Sequence, residues 1–196
     1  MFVQIYRNLK RNISEDGLIV SSSPFLVKSM VSKIDFCGAR RILEIGSGRG
    51  AFTRELISRM APDAELDICE IKAEYNPWIE ALIAEHPQKQ IRLYNCCVTR
   101  LLTEAEHYDV ILSSLPLKNF EDPDSDNEFL YRVIRAMRHS LKEGGTYLQY
   151  QYFKSNQSDI ERIFGKKMDD VSFVPLNILP AFVYSMSKQV SRQPSL

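Results

Sequence analysis

The most chemically suggestive spacing lies in Leu43-Glu44-Ile45-Gly46-Ser47-Gly48-Arg49-Gly50, where an apolar run ends in three glycines and a helical pattern follows. Glycines let the chain turn sharply and let the backbone approach a ligand closely. Amides exposed where the next helix opens can meet an anionic group. With Ala51 the stretch also fits the dinucleotide pattern G-x-G-x-x-G/A, and Glu70, 24 residues after Gly46, suits ribose hydroxyls. The carboxylate two residues before the first glycine separates the two readings. Glu44 would repel a dianionic pyrophosphate but suits the ammonium and sulfonium charges of S-adenosylmethionine. Methyl transfer is the expected chemistry, with Glu44, Gly46, Ser47, Gly48, Gly50 and Glu70 as cofactor-binding candidates. An NAD-dependent dehydrogenase and a nucleotide-binding partner protein without turnover are the alternatives.

A loop of this kind works only if strands and helices hold it. The 196 residues, 44% hydrophobic and 26% charged, predict one globular domain of ordinary size. Strand-like runs at Arg40–Ile45, Glu65–Glu70, Gln90–Asn95 and Tyr108–Ser113 alternate with helical patterns at 50–60, 76–86, 126–141 and 157–164. A Gly144-Gly145 turn opens a fifth strand, Thr146–Tyr152, and Val171–Val174 and Phe182–Met186 supply two more. Alternation of this kind predicts an α/β fold with a Rossmann-like seven-stranded sheet and helices on both faces. In the third helical pattern Leu130, Ile134, Met137 and Leu141 form an apolar stripe, with Arg132, Arg135 and Arg138 mostly off it. About 39 residues precede the first strand and read as two helices, with Pro24 in the first turn of the second. The expected division is an N-terminal helical lid or membrane-surface segment over 1–38, the cofactor-binding domain over 39–187, and a polar, frayed tail over 188–196, its polar run starting at Ser187.

Other residue types exclude more than they suggest. The four cysteines form no C-x-x-C pair, so neither a zinc site nor a disulfide framework is expected, and no metal is called for. His86, His107 and His139 are dispersed and read as surface or helix-end residues. No apolar run is long enough to span a bilayer, and Met1–Lys10 lacks the apolar core of a signal peptide, so a cytoplasmic location is expected. The formal charge of zero conceals +5 over residues 1–60, −10 over 61–130 and +5 over 131–196. Glu121–Glu128 (EDPDSDNE) is dense in carboxylates and reads as a solvated loop capping the next helix through Asp124, Ser125 or Asp126. Near the N-terminus, Phe2, Ile5, Tyr6, Leu9 and Ile13 share one helical face flanked by Arg7, Lys10 and Arg11. That pattern suits a lid helix or a helix lying on an anionic membrane surface.

The E-x-G-x-G-x-G spacing resembles the first motif of class I methyltransferases, and Glu70 resembles their ribose-binding acid. Where many members carry an adenine-binding acid after the third strand, this chain has Asn95-Cys96-Cys97, which leaves backbone near Cys97 for adenine. Past the fourth strand, Ser113-Ser114-Leu115-Pro116-Leu117 stands where enzymes that methylate nucleic-acid amines read N/D/S-[IL/P]-P-[YFW]. In those enzymes a polar side chain and a backbone carbonyl accept hydrogen bonds from the target amine, and an aromatic ring stacks on the base. Leu117 removes that ring, and the acidic middle third argues against a phosphate backbone, so nucleic acid is the runner-up acceptor.

Over residues 12–186 the chain resembles the short bacterial phosphatidylethanolamine N-methyltransferases, relatives of the rRNA adenine dimethylases. The resemblance rests on Gly17-Leu18-Ile19-Val20-Ser21-Ser22-Ser23, the glycine loop and the Ser113–Leu117 segment. It rests also on Gln149-Tyr150-Gln151-Tyr152 and Asn177-Ile178-Leu179-Pro180-Ala181-Phe182-Val183-Tyr184. It implies S-adenosylmethionine as cofactor, with Cys97 and Ser114 added to the cofactor-binding set and Tyr152 and Ser113 as catalytic candidates. It also implies a lipid or small-molecule amine as acceptor and peripheral contact with an anionic membrane through residues 2–13. Ser114 and Phe153 stand where the family commonly has glycine, so another amine or a hydroxyl remains an alternative acceptor.

Overall fold

A computed structural model describes residues 22–177 and 179–190. The 2–13 amphipathic stretch and the first expected N-terminal helix therefore lie outside the described residues, as does the end of the tail. In chain order the elements are α1 (Pro24–Val31), β1 (Arg41–Ile45), α2 (Ala51–Arg59), β2 (Glu65–Cys69), α3 (Asn76–Ala84), β3 (Gln90–Tyr94), α4 (Val98–Leu101), β4 (Tyr108–Ser113), α5 (Glu128–Ser140), β5 (Leu141–Gln151), α6 (Gln157–Phe164), β6 (Asp170–Val174) and β7 (Ala181–Ser187). Short 3-10 turns lie at Ala73–Tyr75, Leu117–Phe120 and Pro123–Ser125. The strands form one seven-stranded sheet in the order β3-β2-β1-β4-β5-β7-β6. β7 runs antiparallel to β5 and β6, and the neighbours from β3 to β5 are parallel.

Strands buried on both faces are rich in apolar residues, and β1 and β4 are buried along nearly their whole length, with Glu44 and Ser113 as enclosed polar exceptions. Alternation of side chains then divides the core into two layers. Ile42, Leu66, Ile68, Val110, Leu112, Leu148 and Val183 pack beneath α1, α2 and α3. Leu43, Ile45, Ile111, Tyr147, Tyr184 and Met186 pack beneath α4, α5 and α6. In α5 the apolar stripe is buried through Leu130, Val133, Ile134 and Met137, and Arg132, Arg135 and Arg138 are exposed. Ser23 caps α1 by accepting the Leu26 N–H at 3.2 Å, with Pro24 in the first turn. Its backbone N–H donates to Asn177 Oδ1 at 3.0 Å and its hydroxyl to the Leu176 carbonyl at 3.0 Å. Two segments 154 residues apart are thereby joined, holding α1 beside the edge of the sheet.

Three expectations need correction. The fifth strand begins at Leu141, directly after α5, instead of at Thr146. Gly144 and Gly145 form a bulge inside it: the register with β4 shifts between Tyr108 and Val110, and Gly144 has φ +74°. A Cβ on Gly145 would lie 3.0 Å from the Asp109 carbonyl, so only glycine fits this approach. Second, none of Asp124, Ser125 and Asp126 caps α5; the residue before it, Asn127, is left-handed and makes no side-chain cap. The acidic loop closes on itself, with Asp122 accepting from Asp124 N–H and the Ser125 hydroxyl. Third, the start of the tail is pinned. Ser187 closes β7, and Lys188 exchanges backbone hydrogen bonds with Gly144 and Gly145.

Candidate active site

The glycine loop leaves the carboxyl end of β1, between the ends of β2 and β4. Gly46 N–H donates to the Cys69 carbonyl at 2.8 Å, and Ser114 N–H donates to the Ile45 carbonyl at 2.8 Å. Gly46, Gly48 and Gly50 all have positive φ, and Gly50 N–H returns to the Ser47 carbonyl at 2.9 Å. This coiling turns the backbone into a cradle at the start of α2. Ile45, Ser113 and Gln149 share one register row across β1, β4 and β5, so Gly46, Ser114 and Tyr150 form the next. Alternation then sends Glu44, Ser114, Tyr150 and Tyr152 to the α1–α3 face, and Ser113, Gln149 and Gln151 to the α4–α6 face.

Glu44 is wholly enclosed. Its Oε2 accepts the Thr53 hydroxyl at 2.7 Å, while Oε1 has no hydrogen-bond partner among the described residues. Burial pushes its pKa up to about 8, opposed by the Thr53 bond and reinforced by the nearby Glu70 charge. Glu70 is also buried; its two oxygens accept Gly48 N–H and Lys72 N–H, each at 2.9 Å. Asn95 donates to the Glu70 backbone carbonyl at 2.8 Å, tying the turn after β3 to the backbone that carries this carboxylate. Cys97 is half-buried at the start of α4, with Sγ 3.3 Å from Thr99 Oγ1. The Cys96 carbonyl accepts from the Cys69 thiol at 3.4 Å.

The cradle has the donors and acceptors that S-adenosylmethionine requires. Three enclosed oxygens around the loop lack partners among the described residues: Glu44 Oε1, Ser47 Oγ and Ser114 Oγ. A buried polar atom left unpaired costs about 1–3 kcal/mol, which a ligand supplying the partner recovers. A carboxylate oxygen without a donor suits an ammonium, and Glu70, held by two backbone amides, keeps lone pairs for ribose hydroxyls. Over Gly48 there is open space, with nothing within 4 Å of a notional Cβ.

On the acceptor side, Ser113 and Ser114 part company. Ser114 packs against the loop, its Cβ 3.5 Å from a notional Cβ on Gly46. Ser113 is fully buried on the opposite face, where its hydroxyl accepts Leu115 N–H at 3.3 Å. It braces the turn, and this placement removes the contact with an acceptor expected of it. Tyr152 follows β5, with its ring 5.6 Å from that of Tyr150 at 72°, edge to face. Tyr150 in turn lies 5.9 Å from Phe52. Burial raises the pKa of both phenols, so each keeps its proton at neutral pH. On the other face the Leu115 carbonyl accepts three N–H donors, Leu117 N at 2.9 Å, Gln149 Nε2 at 3.0 Å and Gln151 Nε2 at 3.1 Å. Gln149 is itself oriented by the Tyr147 hydroxyl at 2.9 Å. The contributions of Thr53, Asn95, Tyr150 and the two glutamines were not anticipated from sequence. A period of two placing Tyr150 beside Tyr152 was the available signal.

A family model described as a methyltransferase domain matches residues 42–145. The chain belongs to that methyltransferase family. Its cofactor is S-adenosylmethionine, and the fold is the Rossmann-like class I fold. The chain is 26% identical over 171 residues to an ornithine lipid N-methyltransferase of Singulisphaera acidiphila, with 85% of each chain covered. Among solved structures it resembles the 1,6-didemethyltoxoflavin-N1-methyltransferase of Burkholderia thailandensis at a TM-score of 0.66 and 16% identity, over 96% of this chain and 86% of that one. It resembles TrmN from Thermus thermophilus at a TM-score of 0.64 and 15% identity, over 83% of this chain and 48% of that one. The chain thus spans about half the length of TrmN. At these identities the structural likeness concerns the fold alone. Among the described residues no helix is long and apolar enough to cross a membrane.

Proposed function

We propose that this methyltransferase methylates the aliphatic amine of a membrane-lipid head group, such as phosphatidylethanolamine or an amino-acid lipid. One observation carries this reading: the Leu115 carbonyl already accepts hydrogen bonds from Gln149 and Gln151. A carbonyl oxygen has two lone pairs. With both engaged, it has no capacity to grip the planar amine of a nucleobase at the position where base-methylating enzymes use it. Leu117, fully buried, offers no ring for a base to stack on. An aliphatic amine does not need that grip. The lipid N-methyltransferase relative supports the same acceptor class.

Bound S-adenosylmethionine supplies an electrophilic methyl group on its sulfonium. In this reading Glu44, Ser47, Gly46, Gly48 and Gly50 hold its amino-acid end, and Glu70 its ribose. Cys97 lies at the adenine rim, while Ser114 adjoins Gly46 where the methyl is presented. Tyr152 lines the acceptor side; its neutral phenol ring can contact a methylated ammonium by cation–π attraction, worth about 0.5–2 kcal/mol. The acceptor must arrive as the neutral amine, because an ammonium has no lone pair. The chain's part is alignment and exclusion of water.

Transfer of labelled methyl from S-adenosylmethionine to phospholipid vesicles, free amines and rRNA tests the acceptor. Label is expected in amine-bearing lipid; label confined to rRNA overturns the reading. Peripheral membrane contact through residues 2–13 belongs to the same proposal, on the strength of their sequence pattern. Removing Met1–Ile13 is expected to weaken sedimentation with anionic vesicles, and binding by the full chain is expected to fall with added salt. Identical sedimentation of the two chains would refute that contact.

A further inference from the structure

The occupied Leu115 carbonyl raises the question of what receives the acceptor nitrogen in its place. On the opposite face of the same turn stands a group of hydroxyls. Tyr150 is the β5 residue laterally next to Ser114, in the row that begins at Gly46. Burial raises its pKa, opposed by hydrogen bonding from the Ser22 and Tyr152 hydroxyls. The Ser114 hydroxyl is enclosed and has no hydrogen-bond partner among the described residues. The Tyr150 ring is held between Phe52 at 5.9 Å and Tyr152 at 5.6 Å. Rings packed on two sides have little freedom, so the hydroxyl is held in place before any ligand arrives.

We propose that Tyr150 is the acceptor-positioning residue of this site: its hydroxyl oxygen accepts a hydrogen bond from the N–H of the neutral amine and turns the nitrogen lone pair toward the Gly46–Ser114 row. Ser114 offers the amine a second hydrogen bond. Tyr152 serves as the aromatic wall, so the two tyrosines divide the work of direction and containment. This inference rests on the reading of the acceptor as an aliphatic amine. It assigns to Tyr150 a role that neither the glycine loop nor the turn after β4 supplies.

Tyr150→Phe keeps the ring contacts and removes only the hydroxyl. With saturating cofactor, kcat for the amine acceptor is expected to fall about ten-fold, equivalent to about 1.4 kcal/mol, the scale of one lost hydrogen bond. KM for S-adenosylmethionine and the thermal midpoint are expected to stay near those of the wild type. Tyr152→Phe keeps its wall and is expected to lose less than Tyr150→Phe. A Tyr150→Phe enzyme within two-fold of wild-type kcat overturns the proposal. So does a loss of activity accompanied by a matching rise in cofactor KM or a fall in thermal midpoint, which marks a merely structural hydroxyl. The ratio of variant to wild type is measured on whichever acceptor the wild type methylates. Failure of the lipid reading therefore appears in the wild type, and failure of the Tyr150 inference appears in the ratio.

Discussion

Glu44→Gln is expected to weaken S-adenosylmethionine binding by roughly 100-fold or more while leaving the fold intact. The amide can still accept the Thr53 hydroxyl, which lies 2.7 Å from Oε2 in the native chain. What it lacks is the negative charge opposite the cofactor's cationic end. Removing one partner of a buried charge pair costs about 3–5 kcal/mol. The same site makes binding depend on pH. Without a cationic partner, Glu44 titrates near 8 because burial disfavours its charge. A bound cation stabilises the carboxylate, so binding below about pH 8 releases a proton and tightens as pH rises toward that value. Isothermal titration in buffers of different ionisation enthalpy measures this proton directly. Wild-type affinity in the Gln variant would refute the role given to Glu44.

The stability of the ligand-free protein has the opposite slope. A carboxyl whose folded pKa stands near 8, against an ordinary 4.5, holds its proton more tightly folded than unfolded. Its contribution is complete below the unfolded pKa and is lost as pH rises through the folded one. The cofactor-free protein should therefore lose stability across that window, and Glu44→Gln should flatten this part of the profile.

Gly50→Ala is expected to destabilise the fold by about 2–4 kcal/mol, or roughly 5–15 °C in thermal midpoint for a chain of this size. Gly50 has φ +82°, and a Cβ there would lie 2.6 Å from Leu82 Cδ1 and 3.2 Å from Ile79 Cδ1. Backbone strain and overpacking add, because α3 sits directly against the opening of α2. Gly48→Ala provides the contrast. It also has positive φ, +52°, but nothing lies within 4 Å of its Cβ, so only the strain of about 1 kcal/mol remains. Equal losses at the two positions in thermal melts would contradict this account. Their difference separates a glycine required by packing from one required by backbone shape.

These effects show which parts of the site can be read in one dimension. The expected strands match those observed to within a residue, apart from the start of the fifth, because short runs rich in apolar and β-branched residues bounded by turn residues mark them. The fifth began earlier because a glycine pair signals either a turn or a bulge, and only pairing with Tyr108 and Val110 decides between them. The placement of Glu44, the three glycines and Glu70 at the ends of β1 and β2 was legible because it follows from local spacing. The acceptor side was not. Occupation of the Leu115 carbonyl depends on glutamines 34 and 36 residues later in the chain. The separation of Ser113 from Ser114 follows from which face of β4 each occupies, and the motif places the two side by side.

Charge gives the same lesson. The acidic middle third looked like a repulsive surface, yet several of its carboxylates are paired with cations from the basic thirds. Asp63 meets Arg40 at 2.8 Å, Asp109 meets Lys142 at 2.7 Å and Glu106 meets Lys188 at 3.2 Å. Asp67, buried in β2, accepts the Tyr108 hydroxyl at 2.9 Å and pairs with Arg92, which also bonds Glu65. Much of the imbalance along the chain is therefore cancelled across it. The proposed preference for lipid over nucleic acid rests on the geometry after β4 more than on net charge.

The most direct test of that geometry is to incubate the full-length protein with S-adenosylmethionine and vesicles of amine-bearing lipids, then locate the added methyl by fragmentation mass spectrometry. The account predicts head-group fragments carrying the methyl on nitrogen, with unmodified acyl fragments. Methyl on a hydroxyl oxygen, or unmodified lipid from a preparation that methylates adenine in RNA, would contradict it.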